Sequence, residues 1–448
     1  QSLITELAGL ISFDPGAESR SVTAGRIEGM IATGNVTDTL LLSDSHYFLG
    51  HHYLLNNGYE RSRDNFALSA DYRESVGVYD RRHALGISNM AIVLFRSGDF
   101  ITAYSVGLNG LRARRALLES DSSALAANYL NLSSICLEMN DPVRAIELAE
   151  AGLRLADLFP GRVPEVLTAD LYQVIGLSLY RTSEYTRSLV YCRESLRLYD
   201  RAGAGNVTSR LLILNTIAQL HRRLNQREEA EGYFRRGLSI DAGNNIQDKA
   251  LLYINYADLL AETGRPEEGE RVLADGLAEV EREFGTDSRE YCMMLVHRAD
   301  FLHETTGDNR RVLEIYDDCF EYAGRHPWDI YLKKLITLNY AGTLFDAGDY
   351  ERVLEVSDEV WLTAAEEQGG GLSPLSSYSE DEMGVLMARY RALDALAETT
   401  GESDYLSEAV RTGRLIVSLF DRLRLEMSEE DSRTRLSAFS RELYTGII

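Results

Sequence analysis

Carboxamide side chains recur in this chain at nearly one register. Asn89, Asn131, Asn255 and Asn339 each stand two positions before a small residue, namely Ala91, Ser133, Ala257 and Ala341. Asn215 stands three positions before Ala218, and Gln173 three before Gly176. A carboxamide carries both a donor and an acceptor. A row of them can therefore satisfy the main chain of an extended peptide, whatever that peptide's side chains are. Five residues after the small position come Arg96, Arg181 and Arg223, with Glu138, Glu262 and Asp346 at the same register elsewhere. Arginine pairs bidentately with carboxylates, which suits an acidic segment or a chain terminus. A surface built from this register is expected to be basic in its middle and acidic toward its C-terminal end. Tyr47, Phe48, Phe95 and Tyr180 are aromatic candidates for pockets beside it, although most aromatics at helical spacing are core.

No other chemistry stands out. The chain has no phosphate-binding glycine loop, no dinucleotide fingerprint, no HExxH and no GxSxG, so it is read as non-catalytic, with no cofactor. Cys136, Cys192, Cys292 and Cys319 are widely separated and lack metal-type pairing; they read as small core residues. His51 and His52 are adjacent, and adjacent helical residues point in different directions, so no metal site is expected. The formal charge of −24 disfavours nucleic acid and anionic membrane surfaces as partners. No run of about 18 apolar residues marks a membrane span. A first residue of Gln rather than Met fits a piece of a longer chain or removal of an export signal, which leaves the compartment open.

The elements that hold these residues repeat. NYAGTLFDAGDY, from Asn339 to Tyr350, shows the unit: a small residue, a large apolar residue three positions on, a Gly-Asp stop and an aromatic restart. The small residue lets two helices approach, and the large one covers the same face. Gly50, Tyr53, Gly58 and Tyr59 make another copy, as do Ala91, Leu94 and Gly98, and Ala257, Leu260 and Gly264. The residues that open each second helix are Ser62, Ala103, Ala145, Ser188, Ala230, Gly269, Val312 and Val353, spaced 39 to 43 residues apart.

This pattern resembles the tetratricopeptide repeat, whose usual period is about 34 residues. The longer period resembles that of kinesin light chains and related peptide-binding proteins. The stretch at 251–288, LLYINYADLLAETGRPEEGERVLADGLAEVEREFGTDS, follows it closely. The resemblance implies an all-α, right-handed superhelical solenoid of helix pairs. Its first helices line a concave groove, and an Asn ladder there holds the main chain of a bound peptide. It thus implies a protein or peptide partner and a role as binding scaffold or sensor. The expected layout is an N-terminal helical cap over 1–40 and a repeat array over 41–366. A flexible Gly/Ser/Pro loop follows over 367–381, then a divergent last repeat with C-terminal helices over 382–448. The stretch 415–448, with Ser-Glu-Glu-Asp-Ser-Arg before an aromatic and Glu-Leu-Tyr, resembles the linker that joins such repeats to a caspase-like CHAT protease domain in bacterial proteins. That second resemblance implies an alternative: the regulatory half of a protease whose His and Cys lie beyond Ile448. A purely structural, oligomerising scaffold is the third reading.

Overall fold

The computed structural model describes residues 17–34, 36–115, 122–203, 206–327, 329–369 and 380–426. They are all-α, and no strand occurs among them. By contacts the chain divides into two compact units, Gln1–Ala242 and Gly243–Ile448.

In the first unit, α1 (Ala17–Ala32) precedes five helix hairpins. These are α2 (Thr39–Leu55) with α3 (Tyr59–Ser75), α4 (Arg81–Arg96) with α5 (Phe100–Arg115), and α6 (Ser122–Glu138) with α7 (Pro142–Leu158). Then come α8 (Glu165–Arg181) with α9 (Tyr185–Ala202) and α10 (Val207–Arg223) with α11 (Arg227–Leu238). The turns are set by residues that accept a left-handed backbone: Asn57, Gly98, Asn140, Ser183 and Asn225 all have positive φ, the conformation that ends a helix and reverses the chain. Aspartates restart the next helices. Asp80 Oδ1, for example, accepts from the backbone N–H groups of Arg82 and His83 at 3.0 Å each, satisfying donors that have no partner inside the helix.

Within each hairpin the small residues meet at the helix crossing. Ser62, Ala103, Ala145, Ser188 and Ala230 are fully buried. Ser62 Oγ donates to the Gly50 carbonyl at 2.7 Å, and Ser188 Oγ donates to the Gly176 carbonyl at 2.6 Å. Between hairpins, first helices also touch first helices: α4 meets α6, α6 meets α8, and α8 meets α10. Buried Leu171, Ile175 and Leu179 of α8 pack with Cys136 and Ala145 of the preceding hairpin. Each fully buried leucine contributes about 1.5–3 kcal/mol.

The second unit repeats the scheme after a 3-10 turn at Gly243–Asn245. Its hairpins are α12 (Ile246–Glu262) with α13 (Pro266–Phe284), α14 (Arg289–Thr306) with α15 (Asn309–Arg325), α16 (Ile330–Ala347) with α17 (Tyr350–Gly369), and α18 (Glu380–Thr400) with α19 (Ser403–Glu426). Val312 and Val353 replace the small opening residue yet are fully buried, in one cluster with Ala299 and Ala341. The loop expected over 367–381 lies mostly outside the described residues. Its first three positions continue α17, because Glu-Gln sustain a helix as far as the first glycine, and its last two begin α18. Residues 1–16 of the expected cap and 427–448 of the expected C-terminal helices lie outside the described residues. Among the described residues, no helix is long and apolar enough to cross a membrane, and no group of three or more His, Cys, Asp or Glu could hold a metal ion.

One buried imidazole makes the first unit sensitive to acid. His221 is enclosed between Gln226, whose Oε1 lies 2.7 Å from Nδ1, and Arg193, whose Nη2 lies 3.3 Å from Nε2. A carbonyl oxygen only accepts, so Nδ1 carries the proton and Nε2 accepts from Arg193. Burial holds the His221 pKa below its ordinary value, with the Arg193 charge acting the same way. The unfolded chain therefore binds this proton first. His221's stabilising contribution is complete above the ordinary histidine pKa of about 6.5 and is lost as pH falls toward the lower folded value. Thermal melts from pH 7 to pH 5 should show His221→Gln losing less stability than the parent chain. Parallel curves would contradict this account of His221.

Candidate functional site

Three neighbouring first helices of the first unit, α4, α6 and α8, enclose a cleft of about 390 Å³. Each is fixed by the face it buries: Ala91 and Leu94 on α4, Leu132 and Ile135 on α6, Leu171 and Ile175 on α8. Residues beside that buried face line the cleft. Its polar residues are Arg96, Asn131, Ser134, Glu138, Asp170 and Gln173, over an apolar wall that includes Ile92, Phe95, Leu130, Val174 and Leu177. The volume lies within the range of about 300–1,000 Å³ usual for ligand clefts.

Five of the residues singled out in the sequence, Phe95, Arg96, Asn131, Glu138 and Gln173, are thus brought into one place. The side chains of Arg96 and Asn131 have no hydrogen-bond or ion-pair partner among the described residues. Gln173 Oε1 accepts from the Tyr199 hydroxyl at 2.9 Å, and the same hydroxyl reaches Asp170. One phenolic proton serves both acceptors, so only one of these bonds is made at a time. Burial raises the Asp170 carboxyl above its ordinary range, and the Tyr199 bond partly opposes this. At the rim, Arg181 lies 3.6 Å from Glu138 and also donates to the Leu137 carbonyl. Arg181 therefore engages Glu138, the register neighbour of Arg96.

The remaining candidates are occupied within the fold. Asn89 Nδ2 donates to Tyr47 Oη at 3.1 Å, and Arg223 Nε to Tyr180 Oη at 3.4 Å. In the second unit, Asn339 Nδ2 reaches both oxygens of Asp300, at 2.9 and 3.0 Å, and Tyr316 also donates to that carboxylate. Burial of Asp300 pushes its pKa up to about 6, against those hydrogen bonds. Asn215 and Asn255 each have an interaction within the fold. Asp346 faces His303 at 3.2 Å.

Asp170 and Tyr199 were not singled out from the sequence. Asp170 stands three residues before Gln173, hence on the same helical stripe, and was recoverable from that spacing. Tyr199 lies 26 residues after Gln173, an offset that recurs where the two helices of a hairpin meet, as in Ser195 to Ala169 and Tyr253 to Glu279. No local motif marks it.

Comparison with known proteins bears on the fold. Residues 167–242, which span α8 to α11, match the family model described as Tetratricopeptide repeat. No curated protein sequence matches the chain. Among solved structures, the apo form of the quorum sensor NprR from B. thuringiensis aligns at 15% identity over 71% of this chain and 86% of that one, with a TM-score of 0.54. The Rap conjugation gene regulator of plasmid pLS20, in complex with the Phr* peptide, aligns at 12% identity over 89% and 96% of the two chains, with a TM-score of 0.43. BtubC from P. vanneervenii aligns at 17% identity over 54% and 94%, with a TM-score of 0.41. Residues 167–242 are accordingly tetratricopeptide repeats, and the chain is an all-α solenoid of tetratricopeptide-like helix pairs.

Proposed function

We propose that this chain is a protein-binding scaffold or sensor that holds an extended peptide in the cleft of α4, α6 and α8. The observation that carries the reading is the presence of two unpartnered polar side chains, Arg96 and Asn131, beside Gln173 on one apolar wall. Asn131 offers a donor and an acceptor to peptide main chain, so it fixes backbone direction and register without selecting side chains. The wall of Ile92, Phe95, Val174 and Leu177 takes an apolar side chain from water. Arg96 takes a carboxylate, from an acidic side chain or a chain terminus, through paired N–H donors. Arg181 engages Glu138, a carboxylate of the same cleft.

The test is a screen of short random peptides, each made with a free and an amidated C-terminus, against the intact chain. Peptides recovered by the parent should bind Asn131→Ala about 1–3 kcal/mol more weakly, the scale of a polar group left unpaired. Arg96→Gln should weaken them by about 1.5–3 kcal/mol, as for a hydrogen bond to a charged group. The Arg96 effect should require either the free terminus or an acidic residue, and melting curves should barely move. Unchanged affinity in both variants would remove the cleft from the binding site.

A further inference from the structure

The second unit contains a cavity of about 310 Å³ bounded by the start of α14 and the end of α15, lined by Tyr291, Cys292, Leu295, Cys319, Tyr322 and Arg325. Both cysteines are free thiols and are almost fully buried, at 2% and 0% exposure. Cys319 Sγ lies 3.9 Å from the Cys292 carbonyl oxygen, 27 residues away. Other hairpins place small side chains at a similar offset: the Ser43 and Ser69 hydroxyls are 3.2 Å apart, and Ser195 Oγ donates to the Ala169 carbonyl at 2.8 Å. The cysteines therefore occupy a point where two helices approach closely, and both line the same cavity. Cys136 and Cys192 are also buried, but lie in separate clusters of the first unit.

We infer that Cys292 and Cys319 form a modification site for small disulfides, which enter this cavity and convert the pair into one bond tying α14 to α15. The sulfur of one thiol attacks the small disulfide, whose S–S bond breaks and releases one small thiol. The second cysteine then attacks the mixed disulfide and releases the other small thiol. The two protons of the protein thiols leave on the two departing molecules, and the two electrons reduce the reagent. The hydrogen bond with Cys292 and burial both raise the Cys319 thiol, as do the nearby Asp318 and Asp300 carboxylates. The attacking species is the thiolate, so the reaction is slow at neutral pH and faster in alkali. A raised thiol is also a poor leaving group, so the bond resists reduction once formed.

The experiment treats the intact chain with hydroxyethyl disulfide, quenches with acid and alkylates after unfolding. Tryptic peptides 290–298 and 312–325 should appear as one cross-linked species that dithiothreitol separates. Cys136 and Cys192 should be recovered as free thiols. Cys292→Ser and Cys319→Ser should each abolish the cross-link, and circular dichroism of the treated parent should be unchanged. A raised melting temperature of the cross-linked chain, reversed by dithiothreitol, would add support. Recovery of Cys292 and Cys319 as free thiols, or as separate mixed disulfides without a cross-link, would overturn the proposal. A cross-link that forms only after unfolding in urea would overturn it equally.

Discussion

Replacing Arg389 with alanine should destabilise the last two hairpins of the second unit by about 1–3 kcal/mol, the scale of buried polar groups that lose their partner. The Arg389 side chain, on α18, is almost fully enclosed. Its Nη1 donates to the Leu354 carbonyl at 2.8 Å, to Ser357 Oγ at 3.0 Å and to Asp358 at 2.7 Å, all on α17. Its Nη2 pairs with Glu408 on α19. One guanidinium thus joins three helices. The carboxylates are part-exposed and regain water when it is removed, so the loss falls mainly on the Leu354 carbonyl, the Ser357 hydroxyl and the vacated volume. Asp358→Asn should accordingly cost under about 1 kcal/mol, as exposed ion pairs do. Hydrogen exchange across 380–426 reads both variants. Protection of those helices unchanged by Arg389→Ala would show that the network carries no stability.

The second large effect is expected at a glycine. A Cβ built on Gly176 would lie 2.4 Å from Cys192 Sγ and 3.4 Å from the Cys192 backbone nitrogen. Gly176→Ala should cost about 1–3 kcal/mol through overpacking of the α8–α9 crossing. The obstacle is one side-chain atom, so Cys192→Ala should recover part of the loss, and the double-mutant cycle should show favourable coupling. At Gly269 the neighbours include the Ala257 carbonyl at 2.9 Å as well as Phe301. Backbone cannot be trimmed away, so Gly269→Ala should resist rescue by substitution at Phe301. Additive losses at Gly176 and Cys192 would contradict the crossing geometry.

The helix-pair repeat was legible because it rests on local rules. The small residue that opens each second helix is needed wherever two helices cross closely, and Ser62, Ala145 and Ser188 are fully buried there. Asn57, Gly98, Asn140, Ser183 and Asn225, which follow first helices, have left-handed backbone. Register also identified four cleft residues, Arg96, Asn131, Glu138 and Gln173. It did not reveal which members of the same row were already engaged. Asn339 is held by Asp300, and Asn89 by Tyr47, from other helices. Those partners lie 39 and 42 residues away, at positions with no motif of their own, so occupancy depends on packing between repeats. The paired thiols escaped notice for the same reason. Cys292 and Cys319 are unremarkable as isolated residues and become a pair only when α14 and α15 fold together.

Hydrogen exchange of the intact chain with and without a peptide from the random screen tests the central claim most directly. If the peptide lies across α4, α6 and α8, its arrival should slow exchange in segments covering 89–96, 130–138 and 170–177. Those changes should vanish in the Arg96→Gln, Asn131→Ala double variant at the same peptide concentration. Slowed exchange confined to residues 243–426, with those three segments unchanged, would contradict it.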